Sequence, residues 1–104
     1  MLQHLKSIIA GGKTGRAQAA LIKGNYKKAL KLVNEAMALD PDIFNSPVNY
    51  QIKGICHYYL GDKGISKQNL LIAEKRLLPL IDDDETGSIR NELSKVQSYI
   101  DNCG

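Results

Sequence analysis

The stretch from Ala17 to Pro41, AQAALIKGNYKKALKLVNEAMALDP, limits the folds open to this chain more than any other. It holds two helical patterns back to back. Gly24 and Asn25 separate them, and both residue types tolerate the left-handed backbone on which helices often end. After the turn, Tyr26, Ala29, Leu30, Val33, Ala36, Met37 and Leu39 recur at helical spacing. Lys27, Lys28, Lys31 and Glu35 fall on the other side, and Pro41 stops the pattern. Alanines where two helices would meet permit close packing, so the stretch is expected to be a helical hairpin.

The same grammar returns further on. Ser46-Pro47 combines an N-cap with a proline at the first helical position, and predicts a helix to about Leu60. Gly61-Asp62 repeats the turn, and a helix is expected from Lys63 to about Leu78, ended by Pro79. Gly24 and Gly61, Ala29 and Ser66, and Ala36 and Ala73 are each separated by 37 residues, which makes the second pair a copy of the first. Ahead of these, Leu2, Leu5, Ile8 and Ile9 predict a short amphipathic helix. Gly11 and Gly12 should end it, since glycine costs about 1 kcal/mol inside a helix, and Thr14 would cap the next one. Ile89, Leu93, Val96 and Ile100 predict a closing helix with one polar face. No segment alternates as a strand does, so the expected class is all-α.

These spacings resemble the tetratricopeptide repeat, a helical pair with small residues at three fixed places and a proline near its end. Ala17, Ala29, Ala36 and Pro41 carry the resemblance in residues 10–43, supported by Gly24, Tyr26 and Val33. Gly54, Ser66 and Ala73, with Leu70, carry it in residues 47–80. Phe44, Asn45 and Ser46 are an insertion between the copies. Lys13, Arg16 and Lys63 depart from the pattern, and Pro79 comes one place late. The resemblance implies a right-handed array of helical hairpins in one domain, 1–104: an N-terminal helix (1–9), two repeats (10–43 and 47–80) and a capping helix (86–101). It also implies a non-catalytic protein-protein interaction module, an adaptor or scaffold that holds a peptide or partner helix in a concave groove. By the same mapping the groove residues are Thr14, Gln18, Leu21, Gln51, Ile55, Tyr58 and Tyr59, with Gly11, Ile22 and Val48 beside them. Tyr58, Gln51 and Leu21 are its expected anchors. Thr14 and Gln18 stand where a clamp for acidic tails would need lysine and asparagine, which disfavours that class of ligand. Two repeats leave open ends, so self-association is a further expectation.

Other constellations offer less. Residues 1–45 hold seven Lys/Arg against three Asp/Glu, while the remainder is near neutral. A basic surface built on Lys23, Lys27, Lys28 and Lys31 is therefore the alternative, binding nucleic acid or an acidic partner. An excess this small makes nucleic acid the less favoured of those two. Gly12-Lys13-Thr14 match the end of a phosphate-binding loop, but Ser7 replaces its first glycine and no strand precedes it. Asp82, Asp84 and Thr86 occupy ligand positions of a calcium loop. Leu93 sits where the bidentate glutamate is required, so no metal and no cofactor are expected. Cys56 and Cys103 form neither a disulfide framework nor a zinc spacing. His4 and His57 are the only histidines, and no nucleophile, base and acid set is apparent, so no enzyme is expected. The apolar start is too short for a signal peptide and no run approaches the ~20 residues of a membrane span, which makes a cytoplasmic setting the expectation.

Overall fold

The computed structural model describes residues 2–41 and 45–104. Met1, together with Ile43 and Phe44 at the boundary between the two expected repeats, lies outside the described residues. Five α-helices follow one another: α1 (Leu2–Ile22), α2 (Tyr26–Leu39), α3 (Pro47–Tyr59), α4 (Lys63–Leu77) and α5 (Ser88–Asn102). A 3-10 segment, Leu78–Asp83, joins the last two. No strand occurs among the described residues. Each helix packs chiefly on its neighbours in the chain, and α1 and α5 also reach α3.

The two short turns are built alike. Asn25 N–H donates to Ala20 O and Gly24 N–H to Leu21 O. Asp62 N–H donates to His57 O and Gly61 N–H to Tyr58 O in the same pattern. Gly24 and Gly61 have φ of 79° and 96°, a conformation that this helix-ending motif requires and that glycine adopts without penalty. The 37-residue echo in sequence is thus an echo in backbone geometry. Ser46 caps α3 as its position suggested, accepting from Val48 N–H at 3.2 Å.

One expectation fails. Gly11 and Gly12 do not end a helix, and α1 runs unbroken through both. Thr14 is no N-cap; it lies mid-helix, and its hydroxyl donates to Asn49 Oδ1 at 2.7 Å. Tertiary contacts outweigh the glycine cost. Ala10, Ala17 and Ala20 are buried, Ser7 donates to Asp40 Oδ1, and Lys13 pairs with Glu35 at 3.4 Å. Pro79 does end α4 as an α-helix, but the chain continues as a 3-10 segment in which the proline takes an early position that needs no donor.

Two contiguous apolar clusters make the core. Ala17, Ala20, Ala29 and Val33 meet Ile52 and Cys56 of α3 in the first. Tyr50, Ile55, Leu70, Ala73 and Leu77 meet Leu93 and Val96 of α5 in the second. The small residues mark the close approaches. Ala17, Ala29, Ala36, Ser66 and Ala73 are fully buried, and Ser66 Oγ donates to the Gly54 carbonyl at 2.7 Å. A polar joint fixes the end where α2, α3 and α4 converge. Asn49 Nδ2 donates to Asn45 Oδ1, Asn45 Nδ2 donates to the Met37 carbonyl, and Arg76 donates to the Asn45 carbonyl while stacking on the Tyr50 ring.

The two thiols differ in environment. Cys56 is fully buried, and burial pushes its thiol up to about 11 from an ordinary 9.0, whereas Cys103 is half-exposed near the end of α5. Thiolate is the reactive form. Alkylation near pH 8 should therefore modify Cys103 in the folded chain and reach Cys56 only as the chain unfolds; mass spectrometry along a labelling time course reads the order, and simultaneous modification would contradict the buried placement.

Candidate functional site

Between α1, α3 and α5 the chain leaves a cavity of about 510 Å³. Its floor is aliphatic, from Leu21, Val48, Ile52 and Ile55. Gln18, Gln51, Glu92 and Lys95 bring polar groups to it, and Tyr26, Tyr59 and Tyr99 close one end. Ile22, at the last turn of α1, lies largely in solvent beside that aromatic end.

The aromatic end forms because three helix ends bring four tyrosines together there. Tyr26 begins α2, Tyr58 and Tyr59 end α3, and Tyr99 lies in the last turn of α5. Tyr26 and Tyr59 stack with centroids 4.5 Å apart. Tyr99 meets Tyr59 edge-on, and their hydroxyls are 2.9 Å apart in a hydrogen bond. Burial raises the Tyr99 phenol well above the usual tyrosine value, and the hydrogen bond to Tyr59 adds to the rise. Tyr99 is therefore neutral at ordinary pH. Edge-to-face and stacked pairs of this kind add about 0.5–1.5 kcal/mol each beyond burial, so the rim is stiff as well as apolar.

Charge is confined to one corner. Gln51, itself buried, donates through Nε2 to Glu92 Oε2 at 2.5 Å, and Lys95 Nζ lies 3.5 Å from Glu92 Oε1. Glu92 thus holds the groove amide with one oxygen and offsets the neighbouring lysine with the other.

Of the residues expected to form the groove, Gln18, Leu21, Gln51, Ile55 and Tyr59 line this cavity, as do Ile22 and Val48. Thr14 does not; it is spent on Asn49. Tyr58 does not line it either. A step of one residue turns a side chain by about 100° around a helix, so Tyr59 faces the groove and Tyr58 supports it from behind. Tyr58 packs edge-on against Tyr59 and Tyr99, with Lys63 Nζ 5.2 Å above its ring. Sequence reasoning missed Tyr26, Glu92, Lys95 and Tyr99. Three of the four sit on α5, whose position across the groove no local pattern specifies.

The acidic connection before α5 has another use than metal binding. Asp84 Oδ2 accepts from Arg90 N–H at 3.1 Å in the first turn of α5, and Thr86 Oγ1 pairs with the Ser88 hydroxyl. Among the described residues no group of three His, Cys, Asp or Glu could hold a metal ion. His57 Nδ1 lies 3.5 Å from Asp62 Oδ2, away from the cavity lining. A second cleft of about 420 Å³ opens on the other side of α1 and α2, where Arg16, Lys23 and Lys28 surround Ala19, Ala20 and Leu32. Lys23, Lys27, Lys28 and Lys31 are all exposed. No described helix is long and apolar enough to cross a membrane.

Compared with protein-family models, curated proteins and solved structures, the chain shows no match.

Proposed function

We propose that the chain is a non-catalytic protein-protein interaction module, arranged as two tetratricopeptide-like hairpins with α5 as the cap, which holds a peptide or partner helix in the groove between α1, α3 and α5. The observation that carries the proposal is the cavity of about 510 Å³ with an aliphatic floor, a buried Gln51 amide and an aromatic rim. An apolar anchor on the partner would displace water from Leu21, Val48 and Ile55, and burial of one such side chain contributes about 1.5–3 kcal/mol. Gln18 can both donate to and accept from a peptide backbone. Gln51 retains acceptor capacity after its donation to Glu92. Tyr59, 48% exposed and braced by three other rings, supplies contact area at little cost in side-chain freedom.

The test is selection of peptides on the intact chain by phage display, followed by titration calorimetry. Selected peptides should lose at least about tenfold in affinity to a Tyr59→Ala variant. They should bind a Lys27→Glu/Lys28→Glu variant unchanged. Circular dichroism establishes that both variants are folded. Peptides indifferent to Tyr59→Ala would overturn the groove as the binding face.

The cleft flanked by Arg16, Lys23 and Lys28 favours a second reading, a basic surface for an acidic partner. Binding of that kind weakens steeply with salt and tolerates Tyr59→Ala.

A further inference from the structure

The first two turns of α1 carry four exposed apolar side chains. Leu2, Leu5, Ile8 and Ile9 are 74, 56, 59 and 46% exposed. At 3.6 residues per turn they are centred roughly 100° around the helix from Ala10, Ala17 and Ala20, which face the bundle. They therefore stand off the face that packs on the bundle, with about half or more of each side chain in solvent. α1 is seven residues longer than α2, about 10 Å at 1.5 Å per residue, and the Ser7 to Asp40 hydrogen bond sets the level at which α2 ends. Residues 2–6 overhang that level.

A second exposed apolar patch lies at the same end of the bundle. Arg76, in the last turn of α4, bonds the Asn45 carbonyl ahead of α3, so the 3-10 segment that follows α4 shares that end with the overhang. Leu78 and Leu80 are 49 and 43% exposed there, beside the exposed carboxylates of Asp82, Asp83 and Glu85. α1 by contrast carries Lys6, Lys13 and Arg16, and the first acidic residue in the chain is Glu35.

From these two faces we infer that the chain forms a symmetric dimer, in which the α1 overhang of each copy covers the Leu78–Leu80 face of the other and sets Lys6 toward its Asp82–Glu85 run. Charge selects this pairing. Overhang against overhang would bring cation to cation, and acidic end against acidic end would bring carboxylate to carboxylate. Crossed pairing matches both charge and apolar surface, and a two-fold axis satisfies both contacts at once and closes the assembly. The pairing is independent of the groove, whose aromatic rim lies at the opposite end of the helices.

Analytical ultracentrifugation of the intact chain from micromolar to millimolar concentration tests the inference. The expected mass is twice 11.5 kDa. Leu5→Asp/Ile8→Asp and Leu78→Asp/Leu80→Asp should each weaken the dimer by about tenfold or more, while circular dichroism shows them folded, since all four positions are exposed in one copy. Asp82→Lys/Asp83→Lys should weaken it too, and adding Lys6→Glu should restore it. Tyr59→Ala should leave it intact, which separates this contact from the groove. A monomer at every concentration overturns the inference. So does a dimer that survives the aspartate pairs, one lost with Tyr59→Ala, or one that Lys6→Glu does not restore in the reversed-charge variant.

Discussion

Gly54→Ala should destabilise the chain by about 2 kcal/mol, whereas Gly11→Ala should stabilise it by about 1 kcal/mol. The substitution is the same and both sites are inside helices, so propensity alone favours alanine at each. The surroundings decide the sign. A Cβ at Gly11 would meet nothing within 4 Å. At Gly54 it would stand 2.6 Å from Leu70 Cγ, 2.8 Å from Leu70 Cδ2 and 3.2 Å from the Ser66 carbonyl oxygen. The Ser66 hydroxyl draws α4 onto the Gly54 carbonyl at 2.7 Å, so the added carbon must either break that bond or displace a fully buried leucine. Denaturant unfolding of both variants measures the difference, and a Gly54→Ala variant as stable as the parent would remove the close approach as the reason for glycine.

Much of this fold is legible in the sequence because its signals are local. The Gly24 and Gly61 turns, the Ser46-Pro47 start and the run Tyr26–Leu39 each follow from a few adjacent residues, and each appears at the expected place. The continuity of α1 is not legible in that way. Gly11 and Gly12 argue for a break, and what overrides them is contact with residues more than 20 positions away, such as Glu35 and Asp40. The groove divides along the same line. Leu21, Gln51 and Ile55 of α1 and α3, expected in the groove, line the cavity. The aromatic rim depends on Tyr99 meeting Tyr59 across 40 residues, and the buried amide depends on Glu92 meeting Gln51 across 41. Periodicity places a residue on a face of its helix; it does not say which helix will face it.

Leu70→Ala should cost about 3 kcal/mol, the larger of the two core effects. Leu70 is fully buried where α3, α4 and α5 meet, in one cluster with Tyr50, Ile55, Ala73, Leu77, Leu93 and Val96. Its loss would leave a cavity that rigid helices fill only in part. The double variant Gly54→Ala/Leu70→Ala should then be more stable than the two separate losses would give, by about 1–2 kcal/mol, because the alanine at 54 would occupy space that Leu70 has vacated. Strict additivity would point instead to the Ser66 carbonyl, 3.2 Å from the new Cβ, and thus to backbone proximity as the reason for glycine. The cycle therefore separates two causes of one close contact: a side chain that can be removed, and a helix backbone that cannot.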